Sequence, residues 1–438
     1  MTARAGRAPL LFLWLVTAVA AQPRRVLYVT HSAGYRHDSI PTSVETLRGL
    51  DPTRLDVTAT EDVSLLNADT LRAYDAVFFF TSGELPISDQ QKAALLEFVR
   101  SGKGFGGAHS ATDTLYTWPE YKTLIGATFD GHPWVQKVRI DVEDPGNAIV
   151  AGLAPGFEIL DEIYQFRDFS RDRLRVLLSL DTASVDVSAA GVNRTDDDFA
   201  LAWVQPYGKG RVFYTALGHF ESTWQDARFQ SMLRNALLWM TGQIDAPAEP
   251  RPAAQPRIAA GGIGNAADFE PRAISPGALF TIFGNGFTVG SSSAAANEPA
   301  RKLAGAVVRV NGSPVPLWYA SPGQINAVAP SALDGEARVE VRLPGGLADA
   351  VSIPVLARTP GVFAATPNSD GTVTIWATGL GVVAALTGET LWRPTVEVNG
   401  ARADLLSSRA VPDSPGLYRV DARVPPGAAP PFRVRLLD

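Results

Sequence analysis

Hydrophobic and polar positions alternate with two different periods over the first half of the chain. Arg25 to Thr30, Leu55 to Thr60, Asp75 to Phe80 and Gly104 to Ala108 are short apolar runs that predict strands. Ser43 to Leu50, Leu66 to Tyr74 and Ser88 to Ser101 repeat at helical spacing between them, and Ser88 stands where an N-cap belongs. The unbroken run Ala76-Val77-Phe78-Phe79-Phe80 suits a strand covered on both faces. Strands alternating with helices imply right-handed crossovers and a parallel sheet. Four further strands are expected at Lys137 to Val142, Arg175 to Leu180, Ala200 to Val204 and Arg211 to Leu217. A helix from Asp226 to Thr241 then closes an α/β domain spanning residues 25–242.

The pattern changes after that helix. Residues 243–257 are dominated by Ala, Pro and Glu and read as an extended linker. From 258 to 438, short alternating runs are separated by Gly, Pro, Asn and Asp. Val308-Arg309-Val310-Asn311-Gly312 is echoed by Val396-Glu397-Val398-Asn399-Gly400, and each Asn-Gly predicts a tight hairpin turn. An all-β sandwich, with two related halves, is the expected form.

Composition narrows the class. With 438 residues, 46% hydrophobic and 19% charged, the chain is globular and long enough for several cores. A net charge of -6 and the lack of any basic run argue against a nucleic-acid partner. There is no cysteine, which excludes disulfides and thiol chemistry alike. Arg4 and Arg7 precede the apolar stretch Leu10 to Val19 and small residues up to Ala21, so residues 1–21 read as a signal peptide. A secreted or periplasmic location follows as an expectation, with a retained N-terminal anchor as the alternative. No later stretch approaches the roughly 20 apolar residues that a membrane span needs.

All five histidines, His31, His37, His109, His132 and His219, lie in the first half. His31, His37, His109 and His219 follow predicted strands, and in an open parallel sheet the carboxyl ends of strands border the ligand crevice. A lone histidine at a strand end is more often a solvated or capping residue; several at one rim point to a site. His132, in the turn Asp130-Gly131-His132-Pro133, carries less weight. Asp113 lies one turn past His109, and Arg36 either clamps a hydroxyl or pairs with Asp38. Asp161 and Glu162 could be an acid-base pair, although a solvated acidic turn is the commoner explanation. Tyr35, Tyr116, Trp118 and Tyr164 could stack on a sugar ring or simply pack in the core. Imidazoles and carboxylates also suit a divalent metal, but no compact HxH or HExxH spacing supports one.

Four ordered motifs carry a resemblance. They are Ala33-Gly34-Tyr35-Arg36-His37-Asp38-Ser39-Ile40, Gly106-Gly107-Ala108-His109-Ser110-Ala111-Thr112-Asp113, Asp161-Glu162-Ile163-Tyr164 and Ala216-Leu217-Gly218-His219. Together they resemble the ThuA-like (trehalose-utilisation) family over about Arg25 to Gly242. The resemblance implies a flavodoxin-like fold of the class I glutamine amidotransferase type. His109 takes the elbow where those enzymes carry a nucleophilic cysteine, and His219-Phe220-Glu221 keeps their His-x-Glu pattern. Without a thiol their thioester route is closed. The resemblance further implies a small carbohydrate substrate, trehalose-like or a 3-keto-glycoside. His37, His109, Asp113, Glu162 and His219 are then the catalytic candidates, and Tyr35, Arg36, Tyr116, Trp118 and Tyr164 the substrate-binding ones. No cofactor is certain, and a divalent metal is compatible. A non-catalytic carbohydrate-binding or scaffolding protein is the alternative. The region 258–438, through Ile274-Ser275-Pro276-Gly277, Ser321-Pro322-Gly323-Gln324-Ile325-Asn326 and Pro360-Gly361-Val362-Phe363, resembles an immunoglobulin-like module that ends many exported acidobacterial proteins. That likeness implies an immunoglobulin-like β fold of unknown role; surface attachment or binding of another protein is a separate, structural reading of the module.

Overall fold

A computed structural model describes residues 22–251, 255–288, 291–295, 298–344 and 347–437. The expected signal peptide lies outside the described residues. In chain order the first half runs β1 (Arg24–Val29), α1 (Ile40–Gly49), β2 (Leu55–Thr60), α2 (Ala68–Leu71), β3 (Ala76–Phe79), α3 (Asp89–Arg100), β4 (Gly104–Ala108) and α4 (Pro119–Ile125). Then follow β5 (Thr128–Phe129), β6 (Trp134–Val142), β7 (Gly156–Ile163), β8 (Phe166–Arg167), β9 (Arg175–Leu180), β10 (Ala200–Tyr207), β11 (Gly210–Thr215), α5 (Glu221–Gln225) and α6 (Ala227–Met240).

Nine of these strands form one sheet in the order β2-β1-β3-β4-β11-β10-β9-β6-β7. The first five are parallel. The remaining four continue antiparallel. All four residues of β3 are buried, as expected for a strand covered on both faces. Ser88 caps α3 through a capping box with Gln91. The helix expected from Leu66 to Tyr74 is only one turn long: Asn67 accepts from the Thr70 N–H and so starts a helix rather than continuing one.

The strand β7 is the main departure from the sequence reading. Asp161 and Glu162 are not in a solvated turn but near the carboxyl end of a strand paired along its length with β6. Phe157, Ile159 and Asp161 face inward in strict alternation. The antiparallel half also curls. Although β7 is four places from β11 in hydrogen-bond order, Asp161 accepts the backbone N–H groups of Gly218 and His219, just past the end of β11.

Close packing at β4 explains its glycines. A Cβ on Gly107 would lie 2.5 Å from the Ala111 Cβ, and one on Gly106 would lie 2.9 Å from the Met240 sulfur. Gly107→Ala is therefore expected to cost about 1–3 kcal/mol by forcing the turn after β4 away from the sheet, measurable as a lowered midpoint in chemical denaturation.

The segment after α6 lies along the α/β domain. Ile244, Ala246 and Ala248 pack on its core, Trp239 donates to the Ala246 carbonyl, and Arg251 pairs with Asp144 at 3.1 Å. The described residues from 257 onward are β-rich, in antiparallel sheets of five, four and six strands around two separate cores. The sequence echo is structural: Asn311-Gly312 and Asn399-Gly400 have φ of 50° and 82°, and of 52° and 81°. Both are hairpin turns of the type that needs two left-handed residues. Among the described residues no helix is long and apolar enough to cross a membrane.

Candidate functional site

Three loops and one strand end meet at the carboxyl rim of the parallel strands. His37 lies in the loop between β1 and α1. That loop is laced to the segment after β3, where Ala33 and Gly34 donate to the Ser82 carbonyl and Ser82 donates to the Tyr35 carbonyl. Their approach is so close that a Cβ on Gly83, at φ 74°, would sit 2.5 Å from the Gly34 nitrogen. His109 follows β4 directly and is fully buried with φ 48°, a left-handed conformation that a non-glycine residue holds only when its surroundings impose it. Tyr214 imposes it in part, its hydroxyl donating to the His109 carbonyl at 2.7 Å. His219 follows β11 on the turn held by Asp161. Glu162 comes from β7, which the curl of the sheet brings round to the same rim.

One potential ligand atom from each of His37, His109, His219 and Glu162 lies within 4.8 Å of the others. His109 Nε2, His219 Nδ1 and Glu162 Oε2 form a nearly equilateral triangle with sides of 3.3, 3.3 and 3.4 Å. Ring contacts hold the imidazoles: His37 meets His109 edge to face at 4.7 Å between centroids, and Tyr164 covers His109 at 4.2 Å. Phe80 lies 5.2 Å from His37 and forms an apolar wall.

The hydrogen bonding fixes which atoms face the cluster. His109 Nδ1 is 2.8 Å from the Ala216 carbonyl oxygen, which can only accept. Nδ1 therefore carries a proton, which leaves Nε2 as the atom that faces the cluster. Burial, reinforced by the neighbouring His109 and His219, lowers His37 to about 3 and keeps it neutral. Its Nδ1 is buried without a hydrogen-bond partner. Burial would raise Glu162, but its hydrogen bonds and charge interactions with His109 and His219 win and hold it well below the usual carboxylate range. His219 is raised, first by its hydrogen bond to Glu162. Asp113 is pushed up to about 6 by burial.

Three neutral or neutralisable imidazoles and one carboxylate converging on a point form a donor set for a divalent cation such as Zn, Mn or Fe. The triangle of His109, His219 and Glu162 has the edge expected between donors of a tetrahedral site with metal–ligand distances of about 2.0–2.1 Å, and the His37 donor lies within 4.8 Å of all three. Asp161 supports the set from behind, fully buried and accepting from Gly218, His219 and Glu162 at 2.7, 3.0 and 2.9 Å. Asp161→Asn would set amide hydrogens against backbone donors, and a loss of about 10- to 100-fold in metal affinity is expected, measurable by competition with a chromophoric chelator.

The other residues singled out from sequence are distributed unevenly. Tyr35 is 63% exposed at the rim, edge-on to His37 and parallel to His219. Tyr164 is buried beside His109. Arg36 is exposed and paired with Glu61 at 2.7 Å, not with Asp38, so its guanidinium is already engaged outside the cluster. Trp118 belongs to the core, stacked on Tyr121, because the start of α4 turns its ring inward. Tyr116 is half-buried in the turn before α4. His31 lies 3.0 Å from the Glu61 carbonyl, outside the four-residue group. His132, given little weight from sequence, stands at the mouth with Nδ1 3.3 Å from Glu162 Oε1. Its signal in sequence was only a histidine in a Gly-Pro turn.

A family profile described as "Trehalose utilisation" (ThuA) matches residues 25–240. Among solved structures, a ThuA-like protein from Bacteroides uniformis is similar at 24% identity and a TM-score of 0.43, over 51% of this chain and 93% of its own. A ThuA-like protein from Parabacteroides merdae is similar at 18% identity and a TM-score of 0.41, over 52% of this chain and 98% of its own. A search of curated protein sequences returned no match. Through residues 25–240, this chain belongs to the trehalose-utilisation (ThuA) family.

Proposed function

We propose that His37, His109, His219 and Glu162 hold a divalent metal ion, and that the α/β domain uses this centre to transform a sugar or glycoside. Family membership supports a trehalose-utilisation-related role at family level. The finer reading rests on one observation, the convergence of four ligand atoms within 4.8 Å at the carboxyl rim of a parallel sheet. A bound ion there supplies Lewis-acid polarisation of a carbonyl or hydroxyl oxygen.

The chain's own residues supply the rest. Asp113, with its carboxyl near 6, is poised to give or take a proton close to neutral pH. Tyr35 offers an exposed aromatic face for the C–H side of a sugar ring. Tyr164 and Phe80 shield the imidazoles from water. A trehalose-like glycoside or its 3-keto form is the substrate class we favour, since a keto group gives the centre an oxygen to polarise. We further infer that the protein acts outside the cytoplasm after loss of residues 1–21, which N-terminal sequencing of exported protein would check.

The experiment is activity on trehalose, other glucosides and their 3-keto forms, with elemental analysis of the same preparation and His109→Ala as control. Turnover that needs the metal and disappears in the variant supports the reading. Sugar binding without turnover by the metal-loaded wild type would establish a binding protein instead.

A further inference from the structure

We propose that the β-rich region is a working part of the site: it clamps both ends of the loop between β9 and β10, and through that loop fixes the wall that carries His132. The loop spans residues 181–199. At its start, Lys302 of the β-rich region is buried against the α/β sheet. Its ammonium donates to the Leu180 carbonyl at 2.9 Å and to Ser179 Oγ at 3.3 Å, and it pairs with Asp141 at 3.2 Å. At the loop's end, Asp197 receives two guanidinium groups from the same region, Arg309 at 3.1 Å and Arg342 at 3.4 Å. Asp197 has φ 55°, a left-handed conformation held between these contacts.

The middle of the loop faces the site. Trp134 donates to the Asp186 carbonyl, and Gln165 donates to the Gly191 carbonyl at 2.6 Å. The Asn193 N–H donates to Gln165 Oε1 at 2.8 Å, and its side-chain amide donates to Asp130, carbonyl and carboxylate, at 3.2 Å. Asp130 opens the turn that presents His132 to Glu162, and Gln165 follows the Tyr164 that covers His109. With most of its tip exposed, the loop has little core of its own to hold it. Its order comes from the contacts at its two ends, from Arg171 on Asp198, and from the hydrogen bonds of Trp134, Gln165 and Asn193 along its middle. The domains thus touch at points that bear on the site, unlike an appendage joined only by a tether.

Hydrogen exchange on the full chain tests this without metal or substrate, so its outcome is independent of the metal reading, on which only the catalytic consequence rests. In Arg309→Gln/Arg342→Gln, amides of residues 186–198 and of 129–134 are expected to exchange about three- to tenfold faster, with β1 and β3 unchanged. Asp197→Asn should reproduce the pattern and Asp197→Glu should restore protection. Asn193→Ala should loosen 129–134 from the inner end of the relay. Should the double variant fail to fold, Asp197→Asn carries the same expectations. If 129–134 keeps its wild-type protection in the folded clamp variants, the proposal is overturned, whether or not the loop itself loosens.

Discussion

Replacing His109 with alanine is expected to weaken binding of Zn²⁺ or Co²⁺ by about 100- to 1,000-fold. Structural zinc sites with four protein ligands bind with about 10–16 kcal/mol, or about 2.5–4 kcal/mol per ligand, and each 1.4 kcal/mol is a factor of ten. The estimate suits His109 because its Nε2 is already aimed by the bond from Nδ1 to the Ala216 carbonyl. Alanine keeps the left-handed strain at φ 48° and vacates a fully buried position, so the denaturation midpoint of the metal-free variant is measured alongside to separate lost affinity from unfolding. Titration followed by the Co²⁺ visible spectrum gives the affinity of wild type and variant. Equal affinity in wild type and variant would refute the metal centre and, with it, the mechanism proposed above.

The second large effect concerns stability. Arg171 donates to both oxygens of Glu143 at 2.7 and 2.9 Å and to both oxygens of Asp198 at 2.8 Å. All three side chains are nearly buried, at 12%, 14% and 2% exposure. Arg171→Met keeps the packing but strands two carboxylates, and a loss of about 3–5 kcal/mol is expected. Restoring neutrality with Glu143→Gln/Asp198→Asn should recover most of it. The pH dependence has a definite sign. Burial would raise Glu143, but Arg171 outweighs it and holds the carboxyl at about 2 instead of 4.5. A depressed folded pKa contributes stability above the unfolded value that is lost as pH falls from about 4.5 towards 2. In Arg171→Met burial is opposed only by the more distant Lys302 and by Ser179, so the variant should lose less stability than wild type over that window. Urea denaturation at pH 7 and pH 4 measures both effects.

Much of the fold was legible because local patterns agreed with it. The strand runs at Val26, Val77 and Phe105, and the cap at Ser88, act within a few residues and keep their meaning in the folded chain. The histidine rim was legible for the same reason, since a residue that ends a parallel strand has only one edge to occupy. The acidic strand was not. Gly156 to Ile163 alternates inward and outward, but the inward Asp161 breaks the apolar pattern that marks a strand. That exception is a buried carboxylate serving two backbone N–H groups from a distant turn, which no local pattern can announce. The metal spacing was hidden because the four donors come from four separate elements. His132 was hidden because its turn owes its place to Gln165 and Asn193. Trp118 takes the second of the two courses left open for it, turning inward to stack on Tyr121 in the core.

His109 and His219 stand 110 residues apart, yet their nitrogens are 3.3 Å from each other. Glu162 joins them only once the last strands have curled round. Bringing such remote segments together is entropically slow, and the donor cluster cannot exist until that step is done. Uptake of an ion would accordingly mark completion of the fold rather than initiate it: a late rivet, absent from every nascent chain that stops short of residue 219.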